Sequence, residues 1–374
     1  MSRLSFSQIN KYNQCPRSYK LHYVERLRER SATAYLAFGT AMDESLNAIL
    51  LDFQKNKEVT CDYKAIFDEN WQTIEINKKE YGLPTCTLVG YAKSDFIAEL
   101  LDPSDIMFIV AKSEELGFGD SLRGITLSDL KELKDKLEDE KSQRQYRTFL
   151  EPRHALLNLM NWRSMRRKGH LMLEAYIRNI LPEIEEVIDV QKQIELKSNC
   201  GSSIIGYIDA VVKLKSRTDY TVLDNKTASQ PYAEDAVKTS QQLLLYTYAL
   251  GYKHAGFAVM LKNIRMNRKK KCIECGHESN STHKLCNNTV ENGKRCNGAW
   301  SEETFPEALT QLVKDEVDEQ TQLVVVDNIS EINEAIVNNV FPKNLSTCKN
   351  IYGNPCIYLN HCWKNKSDNL EKVE

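Results

Sequence analysis

The chain of 374 residues has no apolar run long enough to cross a bilayer. Its polar opening, MSRLSFSQINKY, lacks the plan of a signal peptide. Both absences lead to the expectation of a soluble protein of the cytoplasm with no membrane partner. Neither sign of charge is in excess: the formal net charge is -2. Any nucleic-acid contact therefore has to come from a local basic surface. No G-x-x-x-x-G-K-[ST] loop occurs, so the sequence holds no helicase motor of that kind. No internal repeat or low-complexity tract interrupts the chain, and its length allows a sizeable core in two or three units. Cysteine, by contrast, is plentiful, with eleven residues. In a reducing compartment that number points to metal binding before disulfides. Cys61, Cys86 and Cys200 stand isolated; the others fall into groups.

The stretch from Gly206 to Tyr246 carries the densest chemistry. IIGYIDAVVKL and YTVLDNK are rich in β-branched and aromatic residues around the polar turn KSRTD, which predicts a β-hairpin. Alternation sets Asp224 and Lys226 on one face and Asn225 on the other. With a loop of about four residues, Asp209 falls opposite Asp224 or Lys226. A slip of one residue would scatter the group. Two carboxylates and a lysine at a strand end suit a hard cation such as Mg²⁺, which takes oxygen ligands and phosphate. Neighbouring carboxylates keep Lys226 protonated, which favours orientation and electrostatics over general-base work. A solvated surface hairpin is the alternative. The helix that follows places Gln242 and Tyr246 on one face. They could bond phosphate or sugar oxygens, and Tyr246 could stack on an unpaired base. The alternative is Tyr246 in the core with Tyr248 exposed.

Gly-x-x-Asp, a turn, Asp-x-Lys-Thr and Gln-x-x-x-Tyr together resemble the RecB-like branch of the PD-(D/E)XK nuclease superfamily. The resemblance implies an α/β fold with a restriction-endonuclease-like core, in which helices flank a mixed central β-sheet. It implies Mg²⁺ or Mn²⁺ on Asp209 and Asp224, with the backbone carbonyl of Asn225 as a further ligand. Lys226 completes the catalytic set, and Gln242 and Tyr246 face DNA. Relatives place a metal-binding His in the helix AYLAFGTAMDESLNAILLDF, entered through Gly39-Thr40; here that position is Asp43. An aspartate can replace imidazole around a hard ion. Otherwise Asp43 is a helix-face carboxylate and the site has lost a ligand, with Glu44 about 100° around the helix as its substitute. Glu195, on the strand before the hairpin, is either near the metal or an outward residue of an alternating strand.

The opening LSFSQINKYNQCPRSYKLHYVERL predicts a helix capped by Ser5 or Ser7, then Cys15-Pro16 and the aromatics Tyr19 and Tyr23. Iron–sulfur nucleases of the same branch open in this way. From Cys61 to Pro182 the pattern is charged and helical. It looks like a family-specific insertion that could wall a DNA channel. Within it Arg163, Arg166, Arg167 and Lys168 are either phosphate contacts or solvated helix surface. The basic run from Arg265 to Lys271 reads as a linker able to touch DNA.

Cys272, Cys275, Cys286 and Cys296 offer four thiolates for a closed, structural Zn²⁺ site. Glycines after the ligands permit zinc-knuckle turns. The segment resembles a zinc ribbon; His277 and His283 are substitute ligands, and an iron–sulfur centre is the other occupant. Cys348, Cys356 and Cys362 make three thiolates, one short of a four-coordinate site. Relatives that hold one cysteine before the core and three after it bind a [4Fe–4S] cluster, which implies Cys15 as the fourth ligand. Zinc is the alternative there.

The expected plan is residues 1–60 as the N-terminal part of the core, 61–182 as a helical insertion and 183–264 as the catalytic core. A zinc-ribbon-like insertion at 265–304 and a C-terminal part with a cysteine clasp at 305–374 complete it. The expected activity is metal-dependent hydrolysis of DNA, as an exonuclease on ends or single strands in recombination, repair or replication. A helicase or recombination protein is the expected partner, and the plan is similar to phage-type enzymes. The alternative is a degenerate nuclease that binds DNA as a scaffold.

Overall fold

A computed structural model describes residues 3–29, 34–72, 74–76, 79–81, 101–115, 124–143, 152–197, 203–279, 283–290, 293–349, 355–367 and 370–373. Cys86 and Cys200 lie outside these residues. The chain begins with β1 (Arg3–Ser5), α1 (Phe6–Gln14), α2 (Pro16–Tyr19), β2 (Leu27–Glu29), α3 (Ala34–Asn56) and α4 (Tyr63–Gln72). A short hairpin, β3 (Ile74–Ile76) and β4 (Lys79–Tyr81), precedes α5 (Pro103–Glu115), α6 (Leu127–Gln143) and α7 (Pro152–Asn179). Then come β5 (Ile184–Lys197), β6 (Ser203–Leu214), β7 (Tyr220–Ala228), α8 (Ala236–Thr239), α9 (Gln241–Leu250), β8 (His254–Cys272) and β9 (Glu278–Ser279). The last elements are β10 (Trp300–Glu316), α10 (Glu319–Val337), α11 (Leu359–Lys364) and β11 (Leu370–Lys372).

The mixed seven-stranded sheet runs β1-β6-β7-β8-β10, with β5 on β6 and β9 on β8; β1–β6 and the β7–β8 pair that α9 connects are parallel, and the other pairs are antiparallel. Parallel neighbours need such a crossover, whereas β6 and β7 join by a short turn, as predicted. Helices cover both faces. Ala210, Val212, Leu223 and Met260 pack with Phe38, Trp71 and Tyr176 of α3, α4 and α7. Val211, Val222 and Val259 pack with Ile9, Leu244 and Ile329 of α1, α9 and α10. The expected α/β core with flanking helices is therefore present. Among the described residues no helix is long and apolar enough to cross a membrane.

One local expectation changes, and another resolves to one of its two candidates. Helix α3 already spans Ala34, so Gly39 and Thr40 lie inside it and do not open it. Ser5 is the N-cap of α1, in a reciprocal capping box with Gln8. Within residues 61–182, Phe67, Trp71 and the C-terminal half of α7 join the main apolar layer. A separate small cluster forms only from α5, α6 and the start of α7, around Ile109, Leu130 and Leu156.

Candidate active site and metal centres

The site sits where strands diverge. One edge of β6 pairs with β5. The other edge pairs with β1 at Ser203–Ile205 and with β7 at Ala210–Lys213, so residues 206–209 pair with neither β1 nor β7. One further step of the Ala210–Leu223 register would set Asp209 against Asp224. Instead the ladder ends, and the Asn225 N–H donates to Asp209 Oδ2 at 2.8 Å. A strand residue presents its N–H and C=O to the same edge, so the Asn225 carbonyl faces the same gap. Ile208 packs in one apolar layer with Val211, while Ala210 belongs to the other. Strict alternation thus breaks at Asp209, opposite Gln191, whose φ is 51°.

Asp224 is 1% exposed. Its Oδ2 meets Lys226 Nζ at 2.7 Å as an ion pair but lacks a hydrogen-bond donor in normal geometry. Burial pushes its pKa up to about 6, with Lys226 opposing and Asp209 adding. Burial also raises Asp209, against the Asn225 N–H, Lys226 and Gln191. Asp43 on α3 keeps contact with solvent. Even so, surrounding protein and the charges of Asp209, Asp224 and Glu44 push it up to about 7, with Lys226 opposing. Burial works against the charge of Lys226, but Asp224 and Asp209 hold its pKa above the ordinary lysine value. Asp43, Asp209 and Asp224 thus act electrostatically on one another and on Lys226, although among the described residues their oxygens do not close to within 4.8 Å of one another as the sulfurs of Cys272, Cys275, Cys286 and Cys296 do. An all-oxygen donor set with excess negative charge, one oxygen of it buried without a donor, fits a hard divalent cation.

Behind this group, Gln242 Oε1 accepts from Lys226 Nζ at 3.5 Å, and Gln242 Nε2 donates to Tyr246 Oη at 3.3 Å. Tyr246 is 4% exposed. Its ring passes so close to Gly206 that a Cβ there would lie 2.6 Å from Tyr246 Cε1. The burial leaves no face for a stacked base, so the stacking role expected of Tyr246 does not fit; the ring braces Gln242 instead. Glu195 is exposed on β5, opposite Ile205, and Glu44 is exposed beside Asp43.

Two neighbours escaped sequence reasoning. Gln191 donates to Asn47 Oδ1 at 3.1 Å and favours the Asp209 carboxylate. Tyr176 is fully buried with its hydroxyl unpartnered, and the Asp209 charge adds to burial in raising its pKa. Neither stands out in its own segment: Gln191 lies in an ordinary strand pattern and Tyr176 in an apolar helix stripe.

The first cysteine set is compact. All four sulfurs of Cys272, Cys275, Cys286 and Cys296 lie within 4.8 Å of one another. Cys272 and Cys296 are 3.5 Å apart, Cys275 and Cys286 3.7 Å. Ligands at the Zn–S length of about 2.3 Å would stand about 3.8 Å apart in a tetrahedron. A Cβ on Gly298 would lie 2.7 Å from Cys272 Sγ, so the second knuckle requires glycine there. Four thiols this close resist joint ionisation. The His277 backbone pulls Cys275 down to about 7. The Gly298 backbone acts likewise on Cys296, but desolvation and the neighbouring thiols push it up to about 12. His277 and His283 are not in the group.

Cys15, Cys348, Cys356 and Cys362 line one pocket where the two ends of the chain meet. Among the described residues this set does not close to within 4.8 Å as the first does. The ends are clasped independently: β11 pairs with β2, Arg17 N donates to Pro342 O, and Tyr12 Oη donates to Val340 O at 2.6 Å.

The two basic segments are corrected. Arg163 meets the buried Asp105 at 2.5 Å, and Arg166 pairs with Asp68, which also holds His170 at 2.8 Å. Lys168 is buried and Arg167 partly so. This patch ties α4, α5 and α7 together; it is neither open surface nor a phosphate site. Arg265 to Lys271 is not a linker but the outer half of β8, paired residue by residue with β10. Lys269 and Lys270 are engaged by Glu278 and Glu302.

Carboxylates and a lysine where strands part in a mixed sheet are compatible with divalent-metal chemistry on phosphate. Residues 3–128 and 118–362 match the PD-(D/E)XK nuclease superfamily. The chain belongs to that superfamily and is by that membership a metal-dependent nuclease. No curated protein matches. A solved structure titled "Crystal structure of SSO0001" is 12% identical over 62% of this chain and 85% of its own, with a TM-score of 0.24. A likeness that low carries no weight for function.

Proposed function

We propose that the protein is a Mg²⁺- or Mn²⁺-dependent deoxyribonuclease of the RecB-like, iron–sulfur type, acting as an exonuclease on DNA ends or single strands in recombination, repair or replication. One observation supports the reading: Asp43, Asp209 and Asp224 interact electrostatically with one another and with Lys226, near the point where β6 and β7 part. These carboxylates and the Asn225 carbonyl would hold the ion. Bound there, it would lower the pKa of a water and offset charge on the phosphate. The residues do the rest by position. Lys226 stays protonated and steadies the nucleophile or the charge developing on phosphate. Gln242 limits the swing of Lys226, and Tyr246 fixes Gln242. The Asn225 N–H occupies Asp209 Oδ2 and would leave the other Asp209 oxygen to hold an ion.

The zinc-like group at the end of the β8–β10 ribbon takes a structural role, because a closed tetrahedral set leaves no open position. The wider second set suits a [4Fe–4S] cluster bound by Cys15, Cys348, Cys356 and Cys362. That cluster would reinforce the clasp between the chain ends. Strand separation would come from a helicase or recombination partner, since this sequence holds no P-loop.

The test is degradation of end-labelled single- and double-stranded DNA in Mg²⁺ and Mn²⁺, with linear and circular substrates side by side. Loss of cleavage in Lys226→Ala and Asp43→Ala supports the reading. Binding of DNA without cleavage by the unaltered protein in either ion rejects it. Anaerobic protein with absorption near about 400 nm supports the cluster; colourless protein with two zinc ions per chain rejects it.

A further inference from the structure

We propose that a cleft beside Lys226 receives the unpaired base and sugar of the nucleotide next to the cut, so that the substrate is single-stranded, or frayed, where it is cleaved. The proposal rests on the nuclease reading above. The cleft encloses about 360 Å³, within the range of small-ligand sites. Lys226 lies in it; Phe6 of α1 and Tyr232 supply aromatic surface, and Asn10, Asn13 and Gln241 supply carboxamides. Lys226 is the single charged residue among those that line it.

That composition selects the ligand. A groove for the phosphate backbone gathers arginines and lysines. Aromatic faces with amide groups suit a base instead, because every base offers a π-face for stacking and donors and acceptors along its edge. A base inside a duplex has its faces stacked and its pairing edge occupied, and reaches such a cleft only after unpairing.

Tyr232 is prepared for the role. Its N–H donates to Gln311 Oε1 at 2.8 Å, and Gln311 Nε2 donates to its carbonyl at 3.0 Å. Its ring meets Phe257 edge-on at 5.1 Å. The loop between β7 and α8 is thus braced from β10 through backbone groups, and the ring stays half-exposed. A nucleotide whose phosphate lies at the carboxylates reaches this ring by passing Lys226. The aromatic contact that Tyr246 cannot make therefore falls to Tyr232.

The experiment uses the full chain silenced by Asp224→Asn. Fluorescence anisotropy follows a labelled oligothymidylate of about ten nucleotides and copies in which one abasic site is stepped along the strand. At one position, loss of the base is expected to weaken binding about 5- to 100-fold. In the double variant with Tyr232→Ala, that penalty should shrink to under about twofold. Tyr232→Phe should restore it. Tyr232→Leu, which keeps apolar contact with Phe257, should behave like the alanine variant. An equal abasic penalty with and without the Tyr232 ring overturns the proposal, as does the lack of any position-specific penalty. Failure of the unsilenced protein to cut nucleic acid, with the abasic–Tyr232 coupling intact, would sink the nuclease reading and leave the base cleft standing.

Discussion

Asp224→Asn keeps the shape of a side chain that is 1% exposed and removes its charge. The native carboxyl is pushed up to about 6 by burial, from an ordinary value of 3.8. Holding it ionised at pH 8 therefore costs the metal-free fold about 3 kcal/mol, at about 1.4 kcal/mol for each tenfold change in acidity. The amide escapes that cost, which is already net of the opposing ion pair with Lys226. A gain of up to about 3 kcal/mol raises the melting temperature of a chain of 374 residues by up to about 4 °C. The sign with pH follows from the direction of the shifts. Asp43, Asp209 and Asp224 all have raised values, so between about pH 4 and 7 the native state binds more protons than the unfolded chain. Their contribution is complete below the unfolded values and is lost as pH rises through the folded ones. The metal-free protein should thus lose stability from pH 5 to pH 8, and the variant should lose less. Its nuclease rate should fall at least about 10²-fold, because the site loses a fixed charge at the reacting phosphate. Thermal melts in EDTA at both pH values, paired with cleavage of labelled DNA, measure both effects. A variant that melts below the natural protein at pH 8, or keeps a tenth of its rate, refutes the reasoning.

Gly206→Ala places a Cβ 2.6 Å from the Tyr246 ring; it should destabilise by about 1–3 kcal/mol in urea titration and depress cleavage through Gln242, and a neutral result in both would sink the bracing role of Tyr246. Asp105→Ala strands the Arg163 guanidinium, whose side chain is 12% exposed; the expected loss is about 3–5 kcal/mol, and a loss under about 1 kcal/mol contradicts the buried ion pair. Cys286→Ser should remove one zinc per chain by elemental analysis and expose the 272–300 segment to protease while the sheet still melts cooperatively; a full zinc count in the variant would exclude Cys286 as a ligand.

The residues that repeat at short range were legible in the chain itself. Alternation and a polar turn located the β6–β7 hairpin, because a two-residue period leaves few ways to pair; the end of its ladder at Ala210–Leu223, which turns Asp209 to the Asn225 N–H, was not legible there. The Cys272–Cys296 set was legible because metal coordination imposes spacing on sequence. Ser5 as a cap followed from the same kind of local chemistry.

What lay beyond reach depends on which distant surfaces meet. Arg163 and Arg166 look like free basic surface in a helix and are in fact neutralised by Asp105 and Asp68 from other helices. Arg265 to Lys271 looks like a linker and is a strand, because its partner, Trp300–Glu307, arrives only after the cysteine module. The roles of Tyr246 and Tyr232 were decided by depth: Gly206 lets one ring sink beneath β6, while Gln311 holds the other at the cleft. Spacing and residue type can announce a set of ligands or a hairpin. Burial, and the partners that neutralise charge, arise only when segments far apart in the chain are brought into contact.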